Sequence, residues 1–221
     1  MISRRAHKSI LCVLLMLVAT TVISLGVQPL HAAGGETIIE LWDTVTAPAP
    51  VALQPVKLDP ATTAFLILDI EELTCDLDRR PRCIASVPAI KRFLDRAKSS
   101  NVAIVYSLTR RGTRETILPE VRPTCDEPIV KSSVDKFYGT DLENILRERG
   151  ITTVVIAGTT AEGAVLHTAT GAAMRGFQVV IPVDGMSAAD LYAEQYTAWH
   201  MLNAPGTRQR TILTRFGMIE F

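Results

Sequence analysis

Uninterrupted apolar runs alternate along this chain with stretches whose apolar residues recur at helical spacing. TAFLILDI (63–70), VAIVYSL (102–108), TTVVIAG (152–158) and FQVVIPVD (177–184) are apolar runs of strand length. Runs without polar alternation fit strands covered on both faces. EPIV (127–130) and RTILT (210–214) are shorter strand candidates. Between them, VPAIKRFLDRAKSSN (87–101) spaces Val87, Ile90, Phe93, Leu94 and Ala97 along one helical face. GTDLENILRERG (139–150) does the same with Leu142, Ile145 and Leu146, and offers Thr140 as N-cap and Gly150 as C-cap. An alanine-rich stretch after Gly158 and DLYAEQYTAWHMLN (190–203) supply two further helices. Strand followed by helix, repeated, predicts an α/β fold with a parallel sheet and helices on both sides. Right-handed crossovers place the C-terminal ends of the strands along one edge, where such sheets bind ligands. That edge receives Asp69, Ser107, Lys131 and the turn 158–163.

The first residues break this pattern. MISRRAHKS is basic through Arg4, Arg5 and Lys8, and Ile10 to Val27 carries no charge. Small residues around Ala32 and Ala33 follow, which completes the layout of a secretory signal peptide. An uncleaved membrane anchor is the alternative, since about eighteen apolar residues can just span a bilayer. Arg4 and Arg5 invite a twin-arginine reading, against which His7 and Lys8 occupy positions that such signals fill with apolar residues. The expected organisation is a signal peptide over 1–32, an extended proline-containing arm over 33–60 and one domain over 61–221. The expected location is periplasmic or secreted, with membrane contact only through an uncleaved signal segment.

The 221 residues carry 23 basic and 23 acidic side chains, and 48% are apolar. That is ample for one core and gives no basic surplus for nucleic acid. Cleavage would remove three basic and no acidic residues, along with Cys12, leaving Cys75, Cys83 and Cys125. In an oxidising compartment, three thiols imply one disulfide and one remaining cysteine. Cys75 and Cys83 lie in the polar loop CDLDRRPRC, which closes easily; a pairing that uses Cys125 is the competing arrangement.

Asp69 ends an apolar strand, where partial burial and a nearby cation would tune its carboxyl for proton transfer. Lys131 follows the apolar PIV and is the candidate cation. Glu71 and Glu72 read as solvated loop acids, and His167 as a hydrogen-bonded core histidine inside a helix of small residues. His200, beside Trp199, is less informative. No histidine pair has metal-ligand spacing, and the cysteines do not resemble a zinc site, so neither metal nor cofactor is expected.

FLILDIEE, IVKSSVDKFYGTDLENILRERGI and TTVVIAGTTAEGAVLHTATGAAMRGFQVVIPVDGMSA, in that order, resemble the isochorismatase-like hydrolases, part of the cysteine hydrolase superfamily. The resemblance covers about residues 60–190. Its most specific part is K-x5-F-x-G-T-x-L, here Lys131, Phe137, Gly139, Thr140 and Leu142. It implies a doubly wound, Rossmann-like three-layer sandwich with a mainly parallel sheet, and a homo-oligomer. It also implies Asp69 as acid/base, Lys131 as its partner, and a cis peptide between Thr159 and Thr160. The amides of Thr160 and Ala164 would form an oxyanion hole. The family's nucleophilic cysteine, in G-V-x-T-x-x-C-V, falls on Ala164 of GTTAEGAV. The glutamine common two residues after the aspartate is Glu71, and the metal motif of nicotinamidases is missing.

Alanine cannot form a thioester, so amide hydrolysis by the usual covalent route is excluded unless another nucleophile reaches the pocket. Vinyl-ether hydrolysis needs only a proton donor and water, and Ala164 is compatible with it. The first expectation is therefore an exported hydrolase acting on a small molecule by Asp/Lys acid–base chemistry. A catalytically inactive binding protein on the same scaffold, or an interaction role for the arm, are the alternatives.

Overall fold

The computed structural model describes residues 35–124 and 126–221. The expected signal peptide over 1–32 and Cys125 lie outside the described residues. The chain divides into two compact units between Ala47 and Pro48. In the first, residues 35–47 contain one 3₁₀ turn, Trp42–Thr44. All else described below belongs to the second, so residues 48–60, expected as part of the arm, go with the domain. Val51 and Leu53 pack on its core, and β1 (Val56–Lys57) pairs with β9 (Ile219–Glu220) as a small parallel ribbon. No helix among the described residues is long and apolar enough to cross a membrane.

The main sheet is built from β2 (Thr63–Leu68), β3 (Ala103–Leu108), β4 (Ile129–Lys131), β5 (Thr153–Thr159), β6 (Gln178–Pro182) and β8 (Thr211–Thr214). A short β7 (Met186–Ser187) joins beside the end of β5. Every strand pairing in it is parallel, in the order β4-β3-β2-β5-β6-β8. This is a doubly wound α/β sheet. β2 is buried at all six positions because both of its faces are covered. Ala64, Leu66 and Leu68 enter the core shared with α2 (Leu142–Glu148), α3 (Leu166–Met174) and α4 (Leu191–Asn203). Phe65 and Ile67 face the opposite core, under α1 (Pro81–Ser99) and Phe216.

Chain order reverses between β2 and β5, its central pair. At that point β5 comes so close to β2 that a side chain on Gly158 has no room. A Cβ there would lie 2.1 Å from the Leu68 carbonyl oxygen, and Gly158 has φ +145°. Glycine alone meets both demands. The crevice beyond the strand ends at such a reversal is the usual ligand position of the architecture.

Two helices differ from the sequence expectation at their starts. α1 begins at Pro81, six residues before the amphipathic stretch at Val87, and includes Pro88. Pro81 can open the helix because the first N–H groups have no partner within it. α3 begins at Leu166, preceded by a π turn over Ala161–Val165.

Candidate active site

Asp69 follows the last residue of β2 and has φ +54°, a left-handed conformation that costs a non-glycine residue about 1–2 kcal/mol. The turn is held by the Thr74 hydroxyl, which donates to the Asp69 carbonyl. The carboxyl is buried and both of its oxygens are engaged. Oδ1 accepts from the Ser107 hydroxyl at 2.7 Å, and Oδ2 accepts from the Lys136 ammonium at 2.7 Å. Burial pushes the Asp69 carboxyl above the ordinary carboxylate range. The Lys136 charge opposes this most, hydrogen bonds from Lys136 and Ser107 add to the opposition, and the Glu71 carboxylate reinforces the rise.

The lysine in this pair is not Lys131. Lys131 closes β4, the edge strand of the sheet, with its neighbour Val130 buried and its own side chain exposed. The loop after β4 turns back over the strand ends and delivers Lys136 instead, with no exposure at all. The Lys136 Nζ also lies 2.6 Å from the Ser133 carbonyl oxygen and 3.4 Å from those of Ser132 and Leu108. Four oxygens around three N–H bonds suit an ammonium ion. The loop rests on α3: the Lys136 amide donates to the Thr168 hydroxyl, which donates to the Val134 carbonyl. A Cβ on Gly171 would stand 3.0 Å from Asp135 Oδ1. The small residues of α3 thus make room for the loop that carries the lysine. Spacing alone could not select between two lysines five residues apart, since each adjoins a buried apolar residue, Val130 for one and Phe137 for the other.

Asp69, Thr159, Thr160 and Ala164 line one cavity of about 370 Å³ beyond the ends of β2 and β5. The Thr159–Thr160 peptide is cis. Ala164 lies in the π turn and is 3% exposed. Ser132, Ser133, Thr109 and three arginines, Arg80, Arg110 and Arg111, complete much of the wall. Cys75 and Cys83 are joined by a disulfide with a Cα–Cα distance of 5.3 Å. It closes the loop from which Arg80 reaches the cavity, directly after Leu73 and Thr74, which also line it.

Two side chains depart from their expected surroundings. Glu72 is exposed, but Glu71 is wholly buried. Its Oε1 accepts from the Thr109 amide at 2.8 Å and its Oε2 from the Thr116 hydroxyl at 2.7 Å. A carboxylate finds donors there because residue 71 bridges to Ile117 in a short antiparallel contact. His167 is exposed rather than in the core, since the buried side of α3 is formed by Leu166, Thr168, Ala169, Ala172 and Ala173. His200 is partly buried and lies 3.3 Å from the Tyr196 hydroxyl, away from the cavity. Among the described residues, no three His, Cys, Asp or Glu side chains converge.

A family model described as the isochorismatase domain matches residues 63–212, about two thirds of the chain. The chain belongs to the isochorismatase family. It is 29% identical over 168 residues to streptothricin hydrolase of Streptomyces noursei, covering 67% of this chain and 61% of that protein. It is 46% identical over 71 residues to the uncharacterized isochorismatase family protein YecD of Escherichia coli O157:H7, covering 32% of this chain and 37% of that one. The chain thus spans less than two thirds of the length of these relatives. An isochorismatase family protein from Desulfovibrio vulgaris shares the fold, with a TM-score of 0.64 at 18% identity, over 71% of this chain and 95% of that one.

Proposed function

We propose that this member of the isochorismatase family is an exported hydrolase that acts on a small molecule by acid–base chemistry at Asp69, without a covalent intermediate. The observation that carries the reading is a buried Asp69–Lys136 pair at a cavity in which Ala164 stands where the family resemblance places a nucleophile. Asp69, with its carboxyl pushed upward by burial, is suited to donate a proton. On an enol ether, that proton would form a C–H bond at the enol carbon and leave an oxocarbenium ion. Water would then add to the cation and return a proton to Asp69. The resulting hemiketal would break its carbon–oxygen bond to release an alcohol and a carbonyl compound. Lys136 would hold the carboxyl in place and balance its charge once the proton has left. Ser107 would fix the other oxygen. Thr160 and Ala164 line the wall, where backbone N–H groups would hold an acceptor oxygen of the substrate and orient it toward Asp69.

Export belongs to the same proposal and rests on the charge and hydropathy of the first 32 residues. A homo-oligomer, implied by the family resemblance, is read by light scattering of the purified protein. The chemistry is tested by presenting the protein with panels of enol ethers, small amides and carbamoyl compounds. Turnover within the enol-ether panel is expected. Turnover of amides alone would overturn the proposal, and binding without turnover in any panel would favour a binding protein on the same scaffold.

A further inference from the structure

The cavity carries a charge imbalance that the proton-transfer chemistry does not use. Its wall includes three arginines, Arg80, Arg110 and Arg111, against one carboxylate, Asp69, which Lys136 already answers. Arg80 donates from Nη1 to the Thr74 carbonyl at 2.7 Å, so its guanidinium is held at the wall. Arg110 and Arg111 make no hydrogen bond or ion pair with any described residue. Unpaired arginines on an open surface are ordinary, but this pair stands on a loop with unusual support. The buried carboxylate of Glu71 accepts from Thr109 on one side of them and from Thr116 on the other. Gly112 packs so closely on that carboxylate that a Cβ would come within 1.9 Å of Oε2. A wholly buried acid therefore fixes the two ends of a segment whose middle presents two free guanidinium groups to the cavity.

We propose that the molecule bound in this cavity is a small carboxylate, held through Arg110 and Arg111 with Arg80 adding to the field. The proposal rests on the reading that this cavity is the substrate site. Guanidinium groups match a carboxylate with two parallel N–H bonds, and a concave wall of one sign raises the local concentration of the opposite charge. The volume, near the lower end of the range of about 300–1,000 Å³ for small-molecule pockets, limits the ligand to a compact one. A phosphate meets the same guanidinium groups but has no apolar part to set against Leu73, Val134 and Ala164, which also line the cavity.

Calorimetric titration of the purified protein with benzoate, benzamide and inorganic phosphate tests this at low ionic strength. Benzoate should bind at least about tenfold more tightly than the neutral amide or phosphate. Replacing both arginines (R110Q with R111Q) should weaken benzoate by about tenfold or more, the scale of losing charge-assisted hydrogen bonds, and leave benzamide unchanged. These side chains are exposed, so an unchanged circular dichroism spectrum will accompany the variant. Equal binding of benzoate and benzamide, no benzoate binding at millimolar concentration, tighter binding of phosphate, or indifference to the double substitution would each overturn the inference. Asp69→Asn separates it from the catalytic reading. Arginine-dependent benzoate binding with no turnover in any panel keeps the carboxylate and removes the enzyme. Turnover of a neutral enol ether that ignores Arg110 and Arg111 does the reverse.

Discussion

Lys136 is buried for one purpose, to face Asp69, and two substitutions separate its role from that of Lys131. Lys136→Met leaves a buried carboxylate without its cation, which should cost about 3–5 kcal/mol in urea unfolding near neutral pH. Lys131→Met, at an exposed edge-strand position, should stay within about 0.5 kcal/mol. The Lys136→Met defect has a definite pH dependence. Asp69 already has a raised pKa, and losing the ammonium raises it further. A raised carboxyl pKa gives stability that is fully present below the unfolded-state value and is lost as pH rises through the folded-state value. The defect should therefore shrink on acidification, and a constant defect across the acidic range would contradict the pairing. In turnover, Asp69 as proton donor predicts a falling alkaline limb in kcat/KM, set above the ordinary carboxylate range. The place of Asp69 was legible in the sequence because an apolar run of strand length ends at it, although a cap or turn former can occupy the same position. Lys136 and Glu71 were not. Both lie in loops, and only their long-range partners, Asp69 for one and Thr109 and Thr116 for the other, distinguish them from solvated charges.

Among the elements, the segment from the end of β2 to the start of α1 is the one most dependent on a covalent tie. It carries Leu73, Thr74 and Arg80 to the cavity and has no regular structure between Asp69 and Pro81 beyond one bridge and its turns. The Cys75–Cys83 disulfide closes its second part, which carries Arg80, with both cysteines buried. Replacing both by alanine should destabilise the protein by about 2–3 kcal/mol, the loop-closure value for so short a ring. Thermal unfolding of the oxidised protein and the double variant measures this, and equal midpoints would contradict it. Six strands, β2 to β6 and β8, were legible to within one or two residues, since burial on both faces writes an apolar run; the two-residue β1, β7 and β9 are too short to write one. Helix starts were less so. The first turns of α1 bury only Cys83 and Ser86 before Val87, so no apolar period marks them. The π turn before α3 is invisible to any 3.6-residue pattern.

For the whole molecule, the order of elements was readable because the right-handed crossover rule leaves few ways to arrange alternating strands and helices. The position of the cavity followed, since Asp69 and the 158–163 turn end the two strands that flank the reversal in sheet order. What the sequence could not supply is the buried support behind that cavity, where Lys136 meets Asp69 and Glu71 meets Thr109 and Thr116. The central claim is that the chemistry belongs to Asp69 and to no thiol. It is tested most directly by one comparison on an enol ether turned over by the wild-type protein. Turnover is measured for the untreated protein, for protein treated with iodoacetamide, and for Asp69→Asn. The account predicts an unchanged rate after alkylation and a loss of about 10²–10⁴-fold in Asp69→Asn, the range for removing a general acid or base. A rate abolished by iodoacetamide, or one that survives Asp69→Asn, would contradict it.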